Sequence, residues 1–123
     1  MKETYDTKTA QKRSVATTVL VVEDDADIGE VLTQMFEMET PFQMILVPDG
    51  FQALKVVRTI IPQFILLDYW LPGMDGLECA LQLRAIKSLE HVPILLMSAK
   101  SGVSVWNVVN KALQRCLQRL SLR

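Results

Sequence analysis

Asp68 closes an unbroken apolar run, Phe64-Ile65-Leu66-Leu67, and turn chemistry follows it at Pro72-Gly73 and Asp75-Gly76. A short apolar run bounded in this way predicts a strand buried on both faces, with the carboxylate at its carboxyl end. In open parallel sheets that end is where ligands bind. A carboxylate placed there can act as a nucleophile, as a metal ligand or as both; it can equally cap the turn that follows. A second acidic group, Glu23-Asp24-Asp25, ends the apolar stretch Thr18-Val19-Leu20-Val21-Val22. Capping and compensation of a helix dipole account for Asp25 or Asp27 but do not require Glu23 and Asp24. Ser98 ends a further apolar stretch over 93–97. If the fold brings Glu23, Asp24 and Asp68 together, they repel one another unless a cation lies between them. Mg²⁺ suits such a place, being hard, oxygen-seeking and slow to give up its waters.

The elements that must position these groups follow from periodicity. Strands are predicted over 18–22, 42–47, 64–68 and 93–98. The first helix shows Ile28, Val31, Leu32, Met35 and Phe36 on one face, with Asp25 or Asp27 capping its first turn. Asp49-Gly50 leads into a second helix with Ala53, Leu54, Val57 and Ile61 apolar, which Pro62 stops. A third is expected over 77–88, burying Leu77, Ala80 and Leu81. Strand and helix alternate throughout, which implies a parallel α/β sheet with helices on both faces. Right-handed crossovers then gather the ends of strands one, three and four along one edge. That edge would hold Glu23, Asp24, Asp68 and Ser98.

The bulk numbers narrow the classes. The chain has 123 residues, half of them hydrophobic, which suits one domain with a real core. Thirteen basic and fourteen acidic residues give a formal net charge of -1, so nothing global argues for nucleic acid or an anionic membrane. Cys79 and Cys116 lack metal-type spacing and read as small packed hydrophobes in a reducing compartment. No apolar run approaches a membrane span and no signal-peptide core is present, so a cytoplasmic protein is expected. His91 has no cluster of chemical partners near it in the sequence.

These residues together resemble a response-regulator receiver domain, the phospho-accepting module of two-component signalling. The resemblance rests on residues 19–25, Asp49-Gly50 with Ala53-Leu54, Leu66-Leu67-Asp68 with Pro72 and Met74-Asp75-Gly76, and residues 93–99. It implies a flavodoxin-like doubly wound parallel sheet. It also implies that Asp68 accepts a phosphoryl group from a histidine kinase. Glu23, Asp24, Asp68 and the backbone carbonyl of Trp70 would hold Mg²⁺, and Ser98 would hydrogen-bond the phosphoryl group. A downstream effector protein is the implied second partner. No acid–base pair appears beyond this constellation, so an independent enzyme is not expected. Trp70, two residues past Asp68, is placed to limit access of water.

The tail departs from the family. A lysine expected near Leu120, usually followed by proline, is absent, and Lys111 is the nearest substitute after Ser98. Residues 103–110 are valine-rich enough for a fifth strand, but 99–102 are too few for a parallel crossover. The tail reads instead as one amphipathic helix, with Val105, Val108, Val109, Ala112, Leu113, Cys116, Leu117 and Leu120 on one side. Ser104 caps it, and Lys111, Arg115, Arg119 and Arg123 line a solvated face. The expected organisation is a polar tail over 1–16 and a receiver domain over 17–123, with a family-like core at 17–100 and a divergent helical end at 101–123. The expected sheet order is 2-1-3-4, which leaves strand four as an edge and invites a homodimer or a partner domain. A pseudo-receiver that keeps the fold without the switch is the alternative function.

Overall fold

The computed structural model describes residues 18–98 together with Lys111, Gln114 and Arg115. Within it a parallel sheet runs in the order β2-β1-β3-β4. The strands are β1 (Thr18–Val22), β2 (Gln43–Val47), β3 (Phe64–Asp68) and β4 (Ile94–Met97). Between them lie α1 (Ala26–Glu39), α2 (Gly50–Val56) and α3 (Gly76–Arg84), with a short 3-10 turn at Lys87–Leu89. The two central strands, β1 and β3, are buried at every position. Their continuous apolar runs meet the requirement of parallel strands covered on both faces.

Alternation along the strands divides the core. Leu20, Val22, Ile65 and Leu67 pack with Ala53 of α2, with Val57 just past its end, and with Cys79 and Leu83 from α3. Val19, Val21, Phe64 and Leu66 pack on the other side with Leu32 and Phe36 of α1. Each helix starts on an aspartate cap that satisfies otherwise orphaned N–H groups. Asp25 accepts from Asp27 and Ile28, Asp49 from Gln52, and Asp75 from Glu78, at 2.8–3.1 Å. Arg84, at the end of α3, donates to the carbonyls of Leu89, Glu90 and Val92, fixing the approach to β4.

Several local expectations are corrected. Leu77 and Leu81 of α3 are 50% and 65% exposed, while Gly76, Cys79 and Leu83 face the core. The Asp75 cap and the seat of Gly76 against β3 set the rotation of this helix, and they select one of two overlapping apolar stripes. The helix also ends at Arg84 rather than Ser88. Val31 is exposed on α1. Helix α2 stops at Val56, where the N–H groups of Arg58 and Thr59 bond three residues back and tighten the last turn, leaving Ile61 exposed. His91 is exposed, with only Glu90 near it at 3.9 Å. The expected tail segments over 1–16 and 99–110, the cap at Ser104, and Cys116, Leu120 and Arg123 lie outside the described residues. Lys111 and Arg115 are helical and exposed.

Gly76 decides how closely α3 approaches the sheet. A Cβ there would lie 2.7 Å from Tyr69 Cα and 2.9 Å from a Leu96 methyl, and would strike the Asp68 carbonyl oxygen. Its N–H donates to the Tyr69 carbonyl at 2.8 Å. Gly76→Ala is expected to destabilise the domain by about 1–3 kcal/mol, the usual cost of overpacking against unyielding backbone. A urea titration monitored by circular dichroism checks this; an unchanged midpoint would show that the β3–α3 junction yields freely.

Candidate functional site

Register assembles the site. Val22 pairs with Leu67 between β1 and β3, and Asp68 pairs with Met97 between β3 and β4. One residue past Val22, Glu23 comes opposite Asp68. The ladders continue beyond the strands through Glu23 N–H to Val47 O at 3.0 Å and Tyr69 N–H to Met97 O at 2.7 Å. Asp24 follows on the outer side, and Ser98 follows Met97. Glu23, Asp24 and Asp68 each offer a carboxylate oxygen, all within 4.8 Å of one another. The structure thus brings the three acids together at the carboxyl edge of the sheet.

Burial makes this cluster unusual. Among the described residues, the buried polar or charged side chains are Thr18, Glu23 and Asp68. Glu23 is 3% exposed and Asp68 is 0% exposed, whereas Asp24 faces solvent. Glu23 Oε2 accepts from Asp25 N–H at 3.1 Å, and Asp68 Oδ1 accepts from Trp70 N–H at 3.2 Å. Among the described residues, the other oxygens, Glu23 Oε1 and Asp68 Oδ2, are buried without a hydrogen-bond partner. Loss of hydration raises the Glu23 carboxyl to about 7, against the lowering effect of the Asp25 N–H, and Asp68 and Asp24 add to the rise. Ionisation of Glu23 places a buried charge beside the Asp68 carboxyl in a poorly hydrated place, which is costly. A hard divalent cation would meet this demand, and Glu23, Asp24 and Asp68 offer the all-oxygen set that such an ion takes.

The loop over 69–75 frames the site. Met74 N–H bonds to Pro72 O at 2.9 Å across Gly73, whose φ is 78°. This tight turn disfavours an L side chain and sends Met74 back into the core. Trp70 stays exposed on the loop, and its indole Nε1–H donates to Ser98 Oγ at 3.1 Å. Sequence reasoning placed Trp70 near the site but missed this link, because no periodicity reports the direction of a loop side chain. Nor did it anticipate the depth at which Glu23 is buried.

Comparison with known proteins agrees with this geometry. The response regulator receiver domain matches residues 19–117. The chain belongs to that family, the phospho-accepting modules of two-component signalling. The DNA-binding response regulator MtrA of Mycobacterium tuberculosis (strain ATCC 25618 / H37Rv) is 42% identical over 83 residues, which is 68% of this chain and 35% of that protein. Protein-glutamate methylesterase/protein-glutamine glutaminase 1 of Cereibacter sphaeroides is 35% identical over 103 residues, 83% of this chain and 27% of the other. The chain thus spans about a third or less of the length of these curated relatives. Among solved structures, the receiver domain of a sensor histidine kinase from Pseudomonas aeruginosa superposes with a TM-score of 0.64 at 30% identity, covering 68% of this chain and 67% of that one. That crystal structure holds a magnesium ion coordinated in its active-site cleft. The chemotaxis protein CheY4 of Vibrio cholerae shares the fold, with a TM-score of 0.70 over 81% of this chain and 98% of that one at 21% identity.

Proposed function

We propose that Asp68 is the phosphoacceptor of this receiver and that a phosphohistidine on a kinase is its donor. The observation that carries the reading is the pair of buried, unpartnered oxygens on Glu23 and Asp68. A carboxylate oxygen of Asp68 attacks the phosphorus of the donor, a P–O bond forms, and the P–N bond breaks. The bonding pair returns to the imidazole nitrogen, which takes up a proton. Trp70 N–H, bonded to Asp68 Oδ1, orients the carboxylate. Glu23 and Asp24, with Asp68 and the backbone carbonyl of Trp70, are the residues that would hold Mg²⁺. When bound there, the ion would offset repulsion between an anionic acceptor and an anionic donor. Ser98 would donate its hydroxyl proton to a phosphoryl oxygen.

This chemistry asks for positioning and charge neutralisation more than for covalent help from the protein. It makes the chain a switch rather than an enzyme with turnover of its own, and the activities named for its relatives belong to those proteins. The partners are then a histidine kinase, a downstream effector protein and a second copy of the chain. A cytoplasmic location fits such partners; among the described residues no helix is long and apolar enough to cross a membrane.

Intact mass after incubation with Mg²⁺ and acetyl phosphate tests the reading. The expected result is a gain of one phosphoryl group that chelation of the metal prevents. No gain in a folded sample that binds Mg²⁺ would overturn it in favour of a pseudo-receiver.

A further inference from the structure

One residue touches both halves of the site. The backbone N–H of Trp70 holds Asp68 Oδ1, and its indole N–H holds Ser98 Oγ. An indole nitrogen is a donor only, so Ser98 is the acceptor in this bond. The Trp70 ring is 54% exposed, while Asp68 is fully buried. The bond therefore ties the Ser98 oxygen to a side chain at the exposed rim of the site. Tyr69 meets the indole edge-on, with centroids 4.9 Å apart at 84°, an arrangement favoured between aromatic rings that steadies the indole.

Building on the reading of Asp68 as phosphoacceptor, we propose that the Trp70 indole is a latch on Ser98. It is a positioning residue that acts through the serine and holds the hydroxyl in its resting arrangement. A phosphoryl group on Asp68 brings anionic oxygens, which accept hydrogen bonds more strongly than neutral groups do. The serine then turns inward and the indole is released. The latch sets how readily the resting arrangement gives way. The loss of one neutral hydrogen bond shifts such a balance roughly two- to tenfold.

Four proteins test this: wild type, Trp70→Phe, Ser98→Ala and the double variant. Phenylalanine keeps a ring beside Tyr69 but lacks the N–H. After loading from acetyl phosphate and removal of the donor, intact mass gives the half-life of the acyl phosphate. Trp70→Phe is expected to lengthen it roughly two- to tenfold, because a serine freed from the indole spends more time on the phosphoryl group. In the Ser98→Ala background the same substitution should change nothing, which is the signature of action through the serine. Equal half-lives, a shorter one, or the same change in both backgrounds would overturn the latch alone. No phosphoryl gain on wild type would overturn the phosphoacceptor reading and the latch with it. A second readout needs no substitution at Ser98 or Trp70. The chain has two tryptophans, so Trp106→Phe isolates Trp70. Its emission should shift on phosphorylation, and an unshifted band on a fully phosphorylated sample would show that the indole keeps its bond.

Discussion

Asp68→Asn is expected to abolish phosphoryl uptake and, at the same time, to raise the melting point of the metal-free protein. The first effect is complete, because a side-chain amide is no nucleophile for this transfer. The second follows from the crowding of the acids. Asp68 raises the Glu23 carboxyl by its charge. A neutral side chain of nearly the same shape removes that repulsion. A gain of about 1 kcal/mol in a domain of this size corresponds to roughly 3–5 °C. Added Mg²⁺ should then stabilise the variant less than the wild type, since stabilisation by a ligand tracks its affinity for the folded state. Intact mass together with thermal melts, with and without Mg²⁺, tests all three effects. A variant that still gains a phosphoryl group would move the acceptor elsewhere, and an unchanged or lower melting point would mean that the acids do not strain the metal-free fold.

The second large effect is in pH. Glu23 is raised from 4.5 to about 7 in the folded, metal-free chain. Between those values the folded state holds a proton that the unfolded state has lost. Stability of the metal-free protein should therefore fall as pH rises through this window, at up to about 1.4 kcal/mol per unit, and level off above about 7. Metal binding has the opposite slope. A cation held by Glu23 would displace its proton, so apparent affinity for Mg²⁺ should climb about tenfold per pH unit below 7 and flatten above it. Each ion bound near pH 6 should release close to one proton. Titration calorimetry in buffers of different ionisation enthalpy measures that release directly. Glu23→Gln should flatten both profiles; if it leaves them unchanged, another group carries the proton.

How much of this was legible before folding differs from element to element. The runs 18–22 and 64–67 are continuous and apolar, and a parallel strand buried on both faces is the economical way to cover them. The sheet order and the row of acids at its carboxyl edge followed from those strands and their crossovers. Sequence pattern leaves the rotation of helix α3 open, because Leu77 and Leu81 form as good a stripe as Cys79 and Leu83, and the choice between them is made by contact of Gly76 with the sheet. Helix α2 ends early because backbone bonds after Val56 compete with continuation toward Pro62, and composition does not reveal such competition. At the site, residue identity told which groups were chemically able. It did not tell that Glu23 would be deeply buried beside Asp68 while Asp24, its chain neighbour, faces solvent. That difference depends on strand parity one step beyond the last paired residue.

The pairing of Val22 with Leu67 has a consequence for how the acid cluster can be lost. The residues that set this pairing are also those that sort Val19 and Val21 to one layer and Leu20 and Val22 to the other. Deleting one residue from β1 would exchange the layers in the same stroke that brings Asp24 opposite Asp68. The hydrophobic interior thus proofreads the chemistry: a chain that aligns its acids wrongly has also packed its interior wrongly. A mispaired chain is thereby denied the compactness that would let it pass for a working receiver.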